Sequence, residues 1–268
     1  MTAARLYASA AFGILQRDTI LFFSYRLRAL TQVAGLCFTL SIFYFVSRLV
    51  RADVLGSPDR YFAFVVVGIT IMTILTSAIT VPQLLRQELV AGTFERLIAS
   101  PMGAAGAVLS MLAFPMLLAS GIALAGLAFA TIVFSVDIVW SSAALALPVG
   151  LLGALAFGAI GLLFTSSVIV LKQASGMNWV IALLTFVSGA YFPVALLPWW
   201  IRWASDVQPF TPSLNLLRHL LVGTPIEGSP WVELAKLLGF AAVLVPGSLV
   251  LLSFALKAAR RSGTILEY

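Results

Sequence analysis

Four charged side chains, Arg86, Glu88, Glu95 and Arg96, stand close together in PQLLRQELVAGTFERLIASPM, from Pro82 to Met102, with long apolar runs on both sides. Their types and spacing do not make a reaction centre. Chemistry within a membrane needs a buried serine and histidine, paired buried aspartates or HExxH on a helix, and the sequence holds none of these. It also lacks a GxxxxGK[ST] phosphate loop, so it has no motor of its own by that route. The one histidine, His219, lies far along the chain, and the one cysteine, Cys37, sits in an apolar run as a small core residue. No bound cofactor or metal is expected. What such residues can do is dock. Leu84, Leu85, Leu89, Phe94, Leu97 and Ile98 are interleaved with the charges, and a surface that is half apolar calls for a partner. A bare connection between two spans needs only a few residues, and the simple alternative, a solvated linker, does not need the roughly twenty used here.

The elements that must position this island follow from composition. Of 268 residues, 61% are hydrophobic and 10% charged, with mean hydropathy +1.07; a soluble domain carries about 25% charged residues. Crossing the hydrocarbon core takes about 20 apolar residues per helix, and the runs are too long and continuous for barrel strands. We therefore expect an all-α membrane protein, one transmembrane domain over 1–268. Six spans are expected at 30–47, 61–81, 103–134, 142–171, 177–192 and 232–256, with Pro115 and Pro148 as candidate bends. A cytoplasmic interface helix (1–28), a docking loop (82–102), an outer hairpin (193–230) and a cytoplasmic tail (257–268) complete the map.

Ten of the sixteen Lys and Arg fall on the side holding the N-terminal segment, the island, Lys172 and the tail, which the positive-inside rule makes cytoplasmic, with both termini. The six basic residues on the other side are balanced by six acids. The net charge of +6 is thus topological, and nucleic acid is not an expected partner. Trp140, Trp199, Trp200, Trp203 and Trp231 fall at outer boundaries, as interfacial indoles do. The N-terminal segment mixes Arg5, Arg17 and Asp18 with apolar residues, which suits an interfacial helix among membrane lipids, and it shows no compact signal-peptide core.

Within the island, Pro82 is expected to end the second span, LLRQELV to form a turn or two of helix and Ala91-Gly92 to break it. Thr93 then caps a short helix, FERLIAS, and Ser100-Pro101 starts the third span. In the outer hairpin, Thr211 as N-cap, Pro212 at the first helical position and Gly223 past the end bound a helix too short to span. The hairpin reads as re-entrant or interfacial, directing Arg202, Asp206, Arg218 and His219 to water, headgroups or substrate, or as a plug for the bundle. The second to fifth spans hold no ionisable residue in their cores, as an ion-coupled transporter would need. Hydroxyls at Thr39, Ser41, Tyr44, Thr70, Thr73, Thr76, Ser77, Thr80, Thr185 and Ser188 give the first, second and fifth spans a modest polar content suited to an amphipathic cargo. Each hydroxyl can equally bond its own helix. Gly150, Ala154 and Gly158 put small residues on one face of the fourth span, for packing within or between chains.

RQELVAGTFERLIASPM resembles the cytoplasmic loop of type 2 ABC exporter permeases, in Glu88, Gly92, Thr93, Glu95, Ser100 and Pro101. SGAYFPVALLPWWIRWASDVQPFTP, with Tyr191, Phe192, Pro193, Pro198, Pro209 and Thr211, is similar to that family's region after the fifth span, and ALKAARRSGTILEY resembles its basic tail. The resemblance implies a cell-membrane permease subunit that pairs with a second copy or a close relative. It implies two separate ABC ATPase subunits carrying ATP and Mg, which dock at Arg86, Glu88, Gly92, Thr93, Glu95 and Arg96. Glu88 and Glu95 would face the ATPase or brace the docking helix against the N-terminal segment, and the first and fifth spans would carry the dimer contact. The cargo would be a drug, a lipid or a lipid-linked glycan moved outward by alternating access. A polysaccharide-export permease is the same machine with another cargo; a stand-alone channel or lipid scaffold is the reading from another class.

Overall fold

Apolar runs this long satisfy their backbone polar groups internally only as helices, and helices are what form. The computed structural model describes residues 3–24, 26–49, 57–77, 79–93, 103–171, 177–226 and 228–261, with no strand among them. In chain order the helices are α1 (Ala3–Ser24), α2 (Arg26–Leu49), α3 (Pro58–Ser77), α4 (Val81–Val90), α5 (Gly103–Ser110), α6 (Ala113–Phe134), α7 (Ala143–Leu171), α8 (Met177–Val187), α9 (Trp199–Asp206), α10 (Phe210–Val222) and α11 (Pro230–Arg261). Among the described residues, five helical stretches are long and apolar enough to cross a membrane: Leu30–Leu49, Pro58–Leu85, Gly106–Phe134, Trp140–Ile169 and Pro230–Ala258. The expected span over 177–192 is present as α8, eleven residues that rise about 16 Å at 1.5 Å each; residues 172–176 before it lie outside the described set.

α3 is the axis of the bundle. Its apolar stretch is 71% buried, against 17% for those of α2 and α11, and Val65, Val66 and Val67 have no exposed surface. A helix buried on every face belongs at the centre of a packing arrangement, and α2, α6, α7 and α10 surround it, while α11 lies along α7. At one end of the bundle Tyr44, Phe62 and Phe134 interlock, with Tyr44 and Phe134 rings 4.4 Å apart. The Val139 N–H donates to the Leu221 carbonyl at that end, at 2.8 Å. The opposite end carries α1, α4 and α5.

Three local expectations change. Pro82 does not end a span: it sits in the first turn of α4, where its missing N–H removes no helical bond, and the chain breaks earlier, around Ile79 and Thr80. The span expected over 103–134 is divided between α5 and α6 at Met111 and Leu112, because the Pro115 ring conflicts with the carbonyl four residues back. Pro148 lies inside α7, which runs unbroken over 29 residues. Finally, α10 begins at Phe210 with Pro209 as N-cap, not Thr211. The Pro209 carbonyl accepts from the Ser213 hydroxyl at 2.8 Å, Phe210 is fully buried against Phe157, and the buried Thr211 hydroxyl has no partner. Gly223 does end the helix, at φ +66°.

Arg218 is not directed to water, headgroups or substrate. It is 2% exposed, and its guanidinium donates to the carbonyls of Phe64 at 3.0 Å, Gly189 at 2.8 Å and Ala190 at 2.6 Å while lying 3.4 Å from the Phe64 ring centre. The sequence makes room in two places. Gly189, at φ +80°, turns the chain after α8 and leaves carbonyls without helical partners. Gly68, one turn along α3 from Phe64, has no side chain where a Cβ would strike both Ala190 O and Arg218 Nη2. Gly153 likewise lets α7 approach Ser213 of α10, and Ala154 is buried within the same chain, so this stretch of α7 serves intrachain packing.

Replacing Gly68 with Ala overpacks this contact, a change that typically costs about 1–3 kcal/mol. Thermal unfolding of the purified protein in detergent should show a lower midpoint for Gly68→Ala, and Gly35→Ala, where a Cβ meets nothing within 4 Å, should not.

Candidate docking site and cavity

α4 seats against one end of the bundle because its two faces differ. Val81 and Leu85 are fully buried in a cluster with Val108, Leu162, Ile169 and Leu252, which fastens α4 to α5, α7 and α11. Gln83 and Gln87, four residues apart and so on one face, are exposed. The helix ends as the Ala91-Gly92 pair predicts. Gly92 takes φ +66° and the Thr93 N–H returns to the Glu88 carbonyl at 3.0 Å, the six-to-one closure of a Schellman motif.

Glu88 is the hub of this end. One carboxylate oxygen accepts from Arg17 of α1 at 2.8 Å, and the other accepts from the Thr93 hydroxyl. Arg17 also holds its neighbour Asp18, at 2.9 Å. Burial lowers the Arg17 pKa, but the hydrogen bonds and charges of Asp18 and Glu88 outweigh it and leave the value above that of ordinary arginine. Glu88 therefore braces the α4 end against the N-terminal segment, and the turn after α4 is tied to the same carboxylate. Sequence alone did not single out Arg17 as that partner; a contact across 71 positions leaves no local signal. The Arg86 side chain, Glu95 and Arg96 lie outside the described residues, as do Ser100 and Pro101.

Above this hub opens a cavity of about 1170 Å³ bounded by α1, α2, α3, α4 and α6. Its α3 wall carries Thr73, Thr76 and Ser77, the latter two lying three and four residues from the first and thus on one helix face, and Thr80 lines it from the break between α3 and α4. Leu36, Phe114, Leu118 and Ile122 make the facing apolar wall, and Arg17, Asp18 and Glu88 lie at one end. Five of the ten hydroxyl residues expected in a path line it, Thr39 being the fifth. Thr70 is buried and bonded to Val66.

At the opposite end, Trp199, Trp200 and Trp203 of α9 are largely exposed, Trp199 to 87%. Arg202 folds back onto the carbonyls of Ala195 and Leu197. Asp206 pairs with Lys236 of α11 at 3.5 Å, and Lys236 also binds Glu233 at 3.0 Å, which accepts from Asn215 of α10 at 3.3 Å. This cluster fixes α9, α10 and α11 to one another. His219 is exposed, with Nδ1 3.1 Å from the Thr224 carbonyl. The described hairpin residues and the described island residues, 82–93, thus occupy opposite ends of the bundle.

A family model described as ABC-2 type transporter matches residues 10–222. The chain belongs to that family. The match takes in α1 through α10, so the Arg17–Glu88 brace, the cavity and the Arg218 contact all belong to the ABC-2 domain, and the five long apolar helices make this ABC-2 protein a multi-pass membrane protein. No curated protein matches the chain.

The brace can be measured by a double-mutant cycle on apparent stability. Arg17→Glu and Glu88→Arg should each destabilise, and the double reversal should recover about 0.5–1 kcal/mol, the range for part-exposed pairs; additivity would mean that the two side chains do not interact.

Proposed function

We propose that the chain is the permease subunit of an ATP-driven exporter, engaged by a separate ATPase at α4 and the residues after it. The observation that carries this reading is α4 itself: a short helix at one end of an ABC-2 transmembrane domain, with one face packed on α5, α7 and α11 and a carboxylate holding α1. A load applied to such an element moves more than the element. Closure of the ATPase subunits on ATP pushes α4, whose buried face carries α7 and α11, while Arg17 brings α1 with it. Because α1, α3, α4 and α6 all line the cavity, that displacement reshapes its walls, which is what alternating access requires.

The positive-inside rule places the α4 end in the cytoplasm of the cell membrane, so the cavity is loaded from that side and emptied outward past α9 and α10. Two ATPase subunits, carrying the ATP and Mg, then serve two permease copies. Phe38, Ile42 and Phe45 of α2 and Leu183 and Phe186 of α8 are exposed and offer apolar surface for the second copy. The half-hydroxyl, half-apolar cavity suits an amphipathic cargo, whether drug, lipid or lipid-linked glycan.

Mild solubilisation and pull-down from the host should bring down an ATPase that carries a phosphate loop. Glu88→Lys and Glu95→Lys should each weaken that association about tenfold, the equivalent of about 1.4 kcal/mol, with the elution profile of the permease unchanged. Recovery of an ATPase-free oligomer would favour the stand-alone channel or scaffold instead.

A further inference from the structure

The hydrogen bonds that the cavity lining has left to make indicate the chemistry it can hold. Every hydroxyl on that lining already donates its proton within the protein. Thr39 donates to Gly35 O at 2.9 Å, Thr73 to Ile69 O at 3.1 Å, Thr76 to Met72 O at 2.6 Å, Ser77 to Ile74 O at 2.6 Å and Thr80 to Ser77 O at 2.7 Å, and Thr93 donates to Glu88. A hydroxyl has one proton and two lone pairs, so these side chains face the cavity as acceptors. The guanidinium at the end is likewise engaged by Asp18 and Glu88, and the described charged residues of the lining are one cation and two carboxylates. Gln32, Gln83 and Gln87 add amides that serve in either sense.

We propose that the cavity binds amphiphiles whose polar head donates hydrogen bonds and bears positive charge, primary or secondary alkylammonium compounds, with the head against the α3 hydroxyls and the carboxylate end and the chain along Phe114, Leu118 and Ile122. This rests on the exporter reading above and names the cargo class for it. The hydroxyl face runs from Thr73 to Ser77, about 6 Å along α3 at 1.5 Å per residue, with Thr80 beyond the helix end, and the volume of about 1170 Å³ exceeds the range of ordinary drug-sized sites, about 300–1,000 Å³, leaving room for an alkyl tail. An anionic head meets two carboxylates and hydroxyl lone pairs, with the glutamine amides as donors and the one cation, Arg17, already held by Asp18 and Glu88. A quaternary ammonium brings charge but no N–H.

The test uses the full chain in lipid nanodiscs with a photoreactive dodecylamine, its sites of attachment mapped by peptide mass spectrometry, in competition with dodecylammonium, dodecyltrimethylammonium and dodecyl sulfate. Attachment should fall on lining residues of α3 and α6, and dodecylammonium should compete about tenfold better than the quaternary compound, which has no N–H to give to the hydroxyl lone pairs. Sulfate should compete least. Thr73→Val with Thr76→Val keeps the shape of the side chains and removes two acceptors, and it should erase the preference for the primary over the quaternary head. Equal competition by all three heads, stronger competition by the sulfate, or an unchanged preference in the double variant overturns the assignment. Co-purification of the ATPase is read separately on the same preparations, so a transporter with another cargo class is distinguishable from no transporter at all.

Discussion

A guanidinium taken out of water is the interaction on which the arrangement depends. An unpaired buried charge costs several kcal/mol, so Arg218 dictates what surrounds it: three backbone carbonyls converge from two separate elements, and an aromatic face lies against it. The carbonyls of Gly189 and Ala190 are available because the helix ends there, and that of Phe64 is reachable because Gly68 presents no side chain. One side chain thereby joins the centre of α3, the turn after α8 and α10. The cluster of Asp206, Lys236, Glu233 and Asn215 adds α9 and α11 to the same body. This end of the bundle is knit by one buried guanidinium and by ion pairs that run between helices.

The other end is built differently. There the fastening is apolar, through Val81 and Leu85, and the one charged tie described, between Arg17 and Glu88, is part exposed, with 39% of the arginine side chain in the open. Exposed pairs contribute little and exchange readily with water. For the exporter proposed above, the buried guanidinium of Arg218 makes that end the fixed one, and the α4 end is where a helix is displaced while its apolar seat carries the motion into α7 and α11.

Much of this was legible in sequence wherever the cause is local. Ala91-Gly92 gives the end of α4 because only an αL-tolerant residue closes a Schellman turn, Gly223 does the same for α10, and Pro115 parts α5 from α6, although Pro148 leaves α7 unbroken. Long apolar runs give the helices themselves. What sequence could not supply is any contact whose partners are far apart in the chain. Arg218 sits among leucines in LLRHLLVG and would be read as a surface residue by composition, since arginines are rarely fully buried; its carbonyl partners are 28 to 154 positions away. The same distance hid the Arg17–Glu88 pair. Gly68 and Gly153 look like helix-weakening residues in isolation, and their use appears only when the neighbour that fills the space is known. The start of α10 was misplaced by two residues because Thr211 has the capping chemistry but the burial of Phe210 decides where the helix begins.

The direction of the hydroxyl protons on α3 has a kinetic side. Thr73, Thr76 and Ser77 share one face at the end of α3, with Thr80 just past it, and each presents lone pairs to the cavity. A donor on a molecule moving along that face can pass from one oxygen to the next without first releasing a proton from the wall or breaking a protein contact. Such a surface is a rail: it keeps a polar group solvated as it shifts from one oxygen to the next.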